Sequence, residues 1–516
     1  MSNKPCKLPT ADAAEAQKRP KKVTFWQQYR RKPMGMFGLA IVVIYVLSAL
    51  LAPIITNYNP TKDLFLADNL AAPAWLGKIS PKYRNLTPTL TKEAGVDGLT
   101  VVDGSDFPFT ETEYDNQRFM KIELPAASAS TEEDPMIALL REIYPEYTDA
   151  EIAELAGVGG ASSLFSAEFS IPYSYDPPNT FTISFDYAIE GVADEAKTEM
   201  RALIISPSGI EYDVWGTDTY GLWPLSYTTI DGRDVPVKMR LGMDFFGDPA
   251  KMIFTESGDY KIKLIAKTDS ATGAEIYITP IRFKIPGMVF GILGTDHMGS
   301  DLWSQLIYGA RISLMIGLSA AFISVFLGTT VGIISGYVGG AVDEVLMRFV
   351  DVLLAIPSLP ILIVLSALLG TSVWNVVILV ALFSWMGTAR LVRSQTLSLK
   401  ERAFVEAAKA SGASDGYVML THVLPNVMPL VFSSLVLRIP SAILTEASLS
   451  FLGLGDPRVP TWGRMLQNAR GFGAFTVMAW WWLLPPGLAL TVLSLAFVFI
   501  GNTINEILNP RYRERS

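Results

Sequence analysis

The chain has 516 residues, half of them hydrophobic, with 42 Lys and Arg against 50 Asp and Glu and a net charge of −8. Several apolar runs approach the roughly 20 residues that a bilayer-crossing helix needs, which excludes an ordinary soluble enzyme. The mild net acidity conceals a partition: residues 57–290 hold 36 Asp and Glu but only 19 Lys and Arg, so an acidic segment interrupts an otherwise basic chain.

The leading arm, residues 1–33, carries Lys4, Lys7, Lys18, Arg19, Lys21, Lys22, Arg30, Arg31 and Lys32 against Asp12 and Glu15. Lys and Arg near the ends of spans are retained on the cytoplasmic side, so this arm is expected inside. Cys6 is the chain's one cysteine; it reads as an inert tail residue rather than a lipidation or redox site, and it leaves no disulfide for the rest. The first apolar run, Met34 to Thr56, is too long for a signal-peptide core and is followed by no clean small-residue cleavage site, so it reads as a retained anchor. Five more spans are expected: Ile312 to Ile334, Phe349 to Gly370, Trp374 to Ala389, Val427 to Leu449 and Trp481 to Ile504. Six crossings return Arg511, Arg513 and Arg515 to the cytoplasm and leave residues 57–290 outside. Topology thus accounts for the basic residues, and nucleic-acid binding is not expected.

The first half of the external segment is Pro-rich and irregular, with a helical patch at residues 135–159 in which Asp149 suits the cap of a second short helix. Its second half alternates apolar and polar residues in "TFTISFDYAI", "MRALIISPSGIEYDVW", "MIFTESGDYKIKLIAKT" and "AEIYITPIRFKI". That period, broken by Ser-Gly and Asp-Gly turns, predicts an antiparallel sandwich, with an immunoglobulin-like module as the most specific fold. Residues 57–290 contain no His and no Cys, so a His-based triad, a thiol protease and the usual zinc sites lack their parts, and no metal site is expected. The many carboxylates read as a solvated face rather than a glycosidase pair. Trp215, Tyr220, Trp223 and Tyr227 form either a sugar or peptide platform or ordinary core and hairpin packing. Asn85-Leu86-Thr87 is a glycosylation sequon, informative only where the source glycosylates proteins.

Residues 291–516 form the expected membrane core. Between its fourth and fifth spans, at about residues 394–426, lies "FVEAAKASGASDGYVMLTHVLPN". Ala407, Ala408, Ala410 and Ala413 favour a low-relief helix, Gly412 is its natural break, Ser414 suits the cap of a second short helix and Pro425 suits the first turn of the next span. A helix–break–helix on the cytoplasmic face is either a grip for a soluble partner or a bare surface loop. Two charges, Arg438 and Glu446, fall inside the fifth span, where a charge costs roughly 2.5–3.5 kcal/mol on insertion scales and faces protein or a water-filled path. Eight residues apart, they are separated by about 12 Å along a helix, too far for a direct pair.

The arrangement Glu406-Ala407-Ala408, then Gly412, then Leu424-Pro425-Asn426 resembles the EAA loop of ABC importer permeases. "GTDHMGSDLWSQLIYGARISL", "DEVLMRFVDVLLAIPSLP" and "EASLSFLGLGDPRVPTWGRML" resemble the second permease subunit of dipeptide, oligopeptide and nickel importers, as does "FWQQYRRKPMGMFGLAIVVIYVLSALLAPII". The resemblance implies an α-helical polytopic protein of the ABC type I importer permease fold, with the mainly β insert added between its first two spans. It implies that Glu406, Ala407, Ala408, Gly412, Leu424 and Pro425 couple to an ATPase, and that Arg438, Glu446 and Phe451 belong to the translocation path or external gate. Arg438 then either attracts a peptide carboxylate or pairs with the sister permease. The chain departs from the family pattern at Ser300 and Gln305, where the family favours Arg, and in the insert, for which the family has only a short loop. No G-x-x-x-x-G-K-[ST] phosphate loop occurs, so this chain is expected to be non-catalytic, with ATP and Mg bound by partners. The partners implied are a homologous permease, two ATP-binding subunits, an extracytoplasmic substrate-binding protein, membrane lipid and a peptide cargo. Nickel chelates, glutathione-like molecules and oligosaccharides remain alternative cargoes; with only His297 and His422 in the chain, a histidine-rich nickel path is not visible. A membrane-anchored receptor would explain the sandwich but not the EAA loop, and a secondary transporter would have no use for that loop.

Overall fold

The computed structural model describes residues 24–102, 109–114, 117–126 and 163–508. They fall into two compact units, one built from Met1–Lys62 with Ser304–Ser516 and the other from Asp63–Trp303. The helical patch expected at 135–159, Cys6 and the C-terminal arginines lie outside the described residues.

The first unit is helical. Helix α1, Pro33–Leu50, opens on a proline in its first turn, where a missing N–H costs nothing. It stops short of the expected Thr56 because the chain breaks at Leu51 and restarts as a four-residue turn, Ala52–Ile55, with Pro53 at its start. Helix α2, Leu302–Val338, is 37 residues long, roughly 55 Å at 1.5 Å per residue, and extends well beyond the expected 312–334 at both ends. The expected span 349–370 is two helices, α3 (Gly340–Ala355) and α4 (Ser358–Leu369), bent by 87° at their junction. Pro357 causes the break, since the residue before a proline is driven out of the helical region, and Ile356 is extended at φ −80° and ψ 129°. Helices α5 (Val373–Ser384) and α6 (Met386–Lys400) meet at a milder 41° bend, so the expected span 374–389 crosses that joint. After the short helices α7 (Ala403–Ala410) and α8 (Asp415–Val418) come α9 (Leu424–Phe451), α10 (Trp462–Gly471) and α11 (Trp480–Leu508). Four helices are long and apolar enough to cross a membrane, or up to six if each bent pair is one span, among the described residues.

Small residues set the helix contacts, as expected where no hydrophobic effect drives association. Gly328, Gly332 and Gly336 form a period-four stripe on α2, against which α6 lies directly. A Cβ on Gly328 would stand 2.6 Å from the Trp385 carbonyl, and one on Gly332 2.6 Å from the Ala389 carbonyl. Gly38 of α1 meets the Ala496 carbonyl of α11 in the same way, and Gly317 of α2 lies against Ile443 of α9.

The second unit is an antiparallel sandwich. Its strands are β1 (Leu90–Ala94), β2 (Thr100–Val101), β3 (Phe109–Tyr114), β4 (Gln117–Leu124), β5 (Ser163–Tyr173), β6 (Thr182–Glu190), β7 (Lys197–Ile205), β8 (Glu211–Tyr220), β9 (Trp223–Asp231), β10 (Gly258–Thr268), β11 (Ala274–Ile278) and β12 (Ile281–Ile285). One sheet has seven strands, in the order β1-β12-β6-β11-β4-β3 with β9 also on β6; the other has five, β2-β5-β10-β7-β8. Alternation along β5, β6, β7 and β10 sends Phe165, Phe169, Ile183, Phe185, Ile204 and Ile262 into one core between the sheets. An immunoglobulin domain has seven to nine strands. Seven plus five strands make a larger sandwich here, and β1–β4 come from the half that composition marks as irregular. Proline-rich stretches still supply strands where Thr, Phe and Ile alternate.

Candidate functional site

The loop between α6 and α9 takes its shape from local chemistry. Helix α7 ends in a full Schellman turn: the Gly412 amide donates to the Lys409 carbonyl at 2.9 Å and the Ala413 amide to that of Ala408 at 3.1 Å. The turn requires φ +85° at Gly412, where no atom lies within 4 Å of a hypothetical Cβ. Glycine is needed there for its backbone freedom, not for space. The Ser414 hydroxyl then accepts from the Tyr417 amide and caps α8.

Helix α8 does not end before α9. A π turn, Met419–Val423, joins them, so the helix runs unbroken from Asp415 to Phe451. Pro425 therefore sits inside a continuous helix rather than starting a new one. Its missing N–H falls beside the π turn, and the neighbouring Asn426 side-chain amide donates to the His422 carbonyl at 2.7 Å.

Of the residues singled out in this loop, Glu406, Ala407, Gly412 and Pro425 are exposed, while Ala408 and Leu424 are half-buried. Beneath them Val405, Val418 and Val423 are buried in one cluster with Tyr337, Val392 and Leu399. The loop also exposes apolar side chains: Phe404, Tyr417 and Leu420 are exposed, with the His422 ring 6.3 and 5.9 Å from the first two rings. The loop therefore offers a low, partly aromatic surface on a fixed apolar base.

Two contacts fix it to α2. The Tyr337 hydroxyl donates to Asp415 Oδ1 at 2.9 Å, and the Lys409 ammonium lies 4.5 Å from the centre of the Tyr337 ring. Two residues earlier the Ser335 hydroxyl donates to Asp343 of α3, whose carboxylate is gripped by Arg393 of α6 through Nε and Nη2, both at 2.5 Å. Sequence reasoning missed Tyr337, Asp343, Arg393 and the glycine stripe. The period of four in Gly328, Gly332 and Gly336 was the one signal available for any of them.

The three residues expected in the path occupy different settings. Arg438 is half-buried, its Nη2 filling the notch left by Gly387, where a Cβ would stand 2.5 Å away. It makes no ion pair among the described residues. Glu446 is 1 % exposed, and its Oε1 accepts from the Ser450 hydroxyl at 2.7 Å. The adjoining Ala447 and Ser450 face Gly463 of α10 at 2.7 and 2.8 Å from a hypothetical Cβ, so contacts within the chain enclose Glu446. Phe451 is half-buried under the Arg470 guanidinium, 5.3 Å from the ring centre.

In the sandwich, Trp215 is half-buried against Phe185 and Tyr187 at 5.2 and 5.9 Å, whereas Tyr220 at the end of β8 and Trp223 and Tyr227 of β9 are exposed. In the sequon, Asn85 is exposed and donates to Asp176, while Thr87 is fully buried. Ser300 is buried in a turn where its amide and that of Met298 both donate to Asp296. Among the described residues no group of three or more His, Cys, Asp or Glu is placed to hold a metal.

Comparison with known proteins finds the family described as "binding-protein-dependent transport system inner membrane component" over residues 328–514, and "N-terminal TM domain of oligopeptide transport permease C" over residues 23–73. An oligopeptide transport system permease protein of Haemophilus influenzae is 40 % identical over 225 residues, covering 43 % of this chain and 71 % of that one. A putative peptide transport system permease protein of Brucella suis is 38 % identical over 234 residues, with 45 % and 77 % covered. A glutathione transport system permease protein of Pectobacterium atrosepticum is 39 % identical over 222 residues, with 43 % and 73 % covered.

Proposed function

The chain belongs to the inner-membrane components of binding-protein-dependent transport systems, and from that premise we propose that it is one permease subunit of an ATP-driven peptide importer. The observation that carries the mechanism is the loop at Glu406–Gly412: an exposed, small-residue helix and a fixed glycine turn, followed by a helix that runs unbroken from Asp415 to Phe451. Such a surface suits the groove of a partner ATPase, which binds ATP and Mg while this chain remains non-catalytic. Closure of two ATPase subunits displaces the loop and rocks this chain against a homologous permease, exposing the path alternately to each side. Each bent helix pair counts as one span in this reading, giving six, with both termini cytoplasmic and the sandwich outside. An extracytoplasmic substrate-binding protein delivers the cargo, and the sandwich acts as its docking platform or lid. Deleting the sandwich should impair receptor-dependent uptake; full uptake without it would remove that role.

Arg438 lines the path and attracts the carboxylate of the cargo, because a half-buried cation without a counter-charge in its own chain calls for an anion from elsewhere. The kinship with a glutathione permease favours small acidic peptides as a second cargo class. ATP-dependent uptake from a mixed peptide library, read by mass spectrometry in vesicles holding the full complex, tests the reading. Peptides entering only with ATP support it. An absence of peptide uptake while ATP hydrolysis responds to the receptor redirects the cargo to sugars or metal chelates.

A further inference from the structure

Displacement of the loop has a direct route into α9, because the helix is unbroken from Asp415 to Phe451. Helix α2 has no such continuity with the loop; its last turn ends at Val338, far from Ala403 in sequence. It is nevertheless joined to the loop on both sides of the Gly412 turn through one side chain. Tyr337 donates its hydroxyl to Asp415, at the start of α8, and presents its ring to the ammonium of Lys409, in the last turn of α7. It is 2 % exposed and seated among Val392, Leu399, Val405 and Val418, so its ring has little freedom to follow the loop without carrying α2 along.

The same end of α2 is bound to its neighbours. Ser335 and Arg393 share the Asp343 carboxylate, linking α2, α3 and α6. Gly328, Gly332 and Gly336 lay α6 against α2 at backbone contact distance. A load arriving at Tyr337 is therefore passed to a rigid α2–α6 pair rather than to a single helix.

We propose that Tyr337 is the positioning residue that transmits movement of the loop to α2, as a route beside the chain's own continuations into α6 and α9. This rests on the reading of the loop as the ATPase dock. The Tyr337 contacts keep α2 in step with the helices that the loop drives directly: with α2 left behind, its contact with α9 at Gly317 and Ile443 would shear.

The test is Tyr337→Phe in the full complex, reconstituted in vesicles with its ATPases and receptor. The substitution keeps the ring, the apolar cluster and the contact with Lys409, and removes only the hydroxyl. Expected are wild-type recovery of ATPase subunits and an unchanged melting temperature, but about tenfold less uptake per ATP hydrolysed, the scale set by one hydrogen bond to a charged group. Asp415→Asn, which retains an acceptor, should lose less, and the double variant should lose no more than Tyr337→Phe alone. Wild-type uptake per ATP in Tyr337→Phe overturns the proposal, and so does a loss confined to assembly or melting, which marks a purely structural role. Gly412→Asp, measured alongside, checks the dock itself: if that variant retains its ATPases and its coupling, the docking reading fails whatever Tyr337 shows.

Discussion

Substituting Gly332 by Ala probes the contact between α2 and α6. The added Cβ would stand 2.6 Å from the Ala389 carbonyl oxygen, 2.8 Å from Val392 Cβ and 3.1 Å from the Arg393 amide nitrogen. Two of these three are backbone atoms, which no rotamer change can move. Reaching ordinary contact at about 3.4 Å requires the helices to part by roughly 0.8 Å, an overpacking strain of about 1–3 kcal/mol. Against this stands the helix propensity of Ala over Gly, about 1 kcal/mol, leaving a net loss on the order of 1 kcal/mol. For a unit of this size that lowers the melting temperature by about 2–4 °C. Gly487→Ala in α11 is the internal control, since nothing lies within 4 Å of its hypothetical Cβ. There the propensity gain should stand alone and the melting temperature should hold or rise. Thermal unfolding of the complex in lipid nanodiscs measures both. Equal shifts for the two variants would refute the claim that the glycine stripe exists for close approach rather than by chance of composition.

Gly412 offers the opposite case, because its surroundings are open and only its φ of +85° is demanding. Ala should cost roughly 1–2 kcal/mol in the loop conformation, and Asn, which tolerates the left-handed region, clearly less. Co-purification of ATPase subunits should therefore fall in the order Gly, Asn, Ala, and a reversal of Asn and Ala would contradict the strain argument. In the sandwich, the hydrogen bond from Lys121 holds the Glu275 carboxyl below its usual 4.5. A depressed folded-state value stabilises above 4.5 and is lost as pH falls through the folded value, so the melting temperature should be level at neutral pH and decline below about 4.5. Lys121→Met should flatten that decline while costing less than about 1 kcal/mol at pH 7, since the pair is partly solvent-exposed. Gly387→Ala should displace the Arg438 guanidinium and slow peptide uptake without altering recovery of the ATPases; unchanged uptake would separate Arg438 from the path.

Some of this molecule could be read from local chemistry, and its limits follow from the same physics. The strands β6, β7, β8, β10, β11 and β12 lie in the four stretches where apolar residues recur every second position, because a sheet with one buried face needs nothing beyond that period, whereas β5 and β9 fall outside them. Gly412 and Ser414 were legible because a left-handed turn and a helix cap are decided within five residues. The break at Pro357 was present in "AIPSLP", yet a continuous apolar run conceals it: hydropathy measures partition into lipid and is blind to a missing N–H. The enclosure of Glu446 was not legible in the sequence: the contact that closes over its neighbourhood comes from α10, whose Gly463 is 17 positions away and admits the approach only because it lacks a Cβ. Tyr337 is further removed, since Asp415 lies 78 positions on and no periodicity links them. What was invisible in each case is a pairing between helices, and in a membrane protein such pairings rest on small residues and single polar contacts rather than on hydrophobic pattern. The residues that carry force between helices are therefore those that a hydropathy reading ranks lowest, and mutational scans for coupling belong at those positions before the apolar faces.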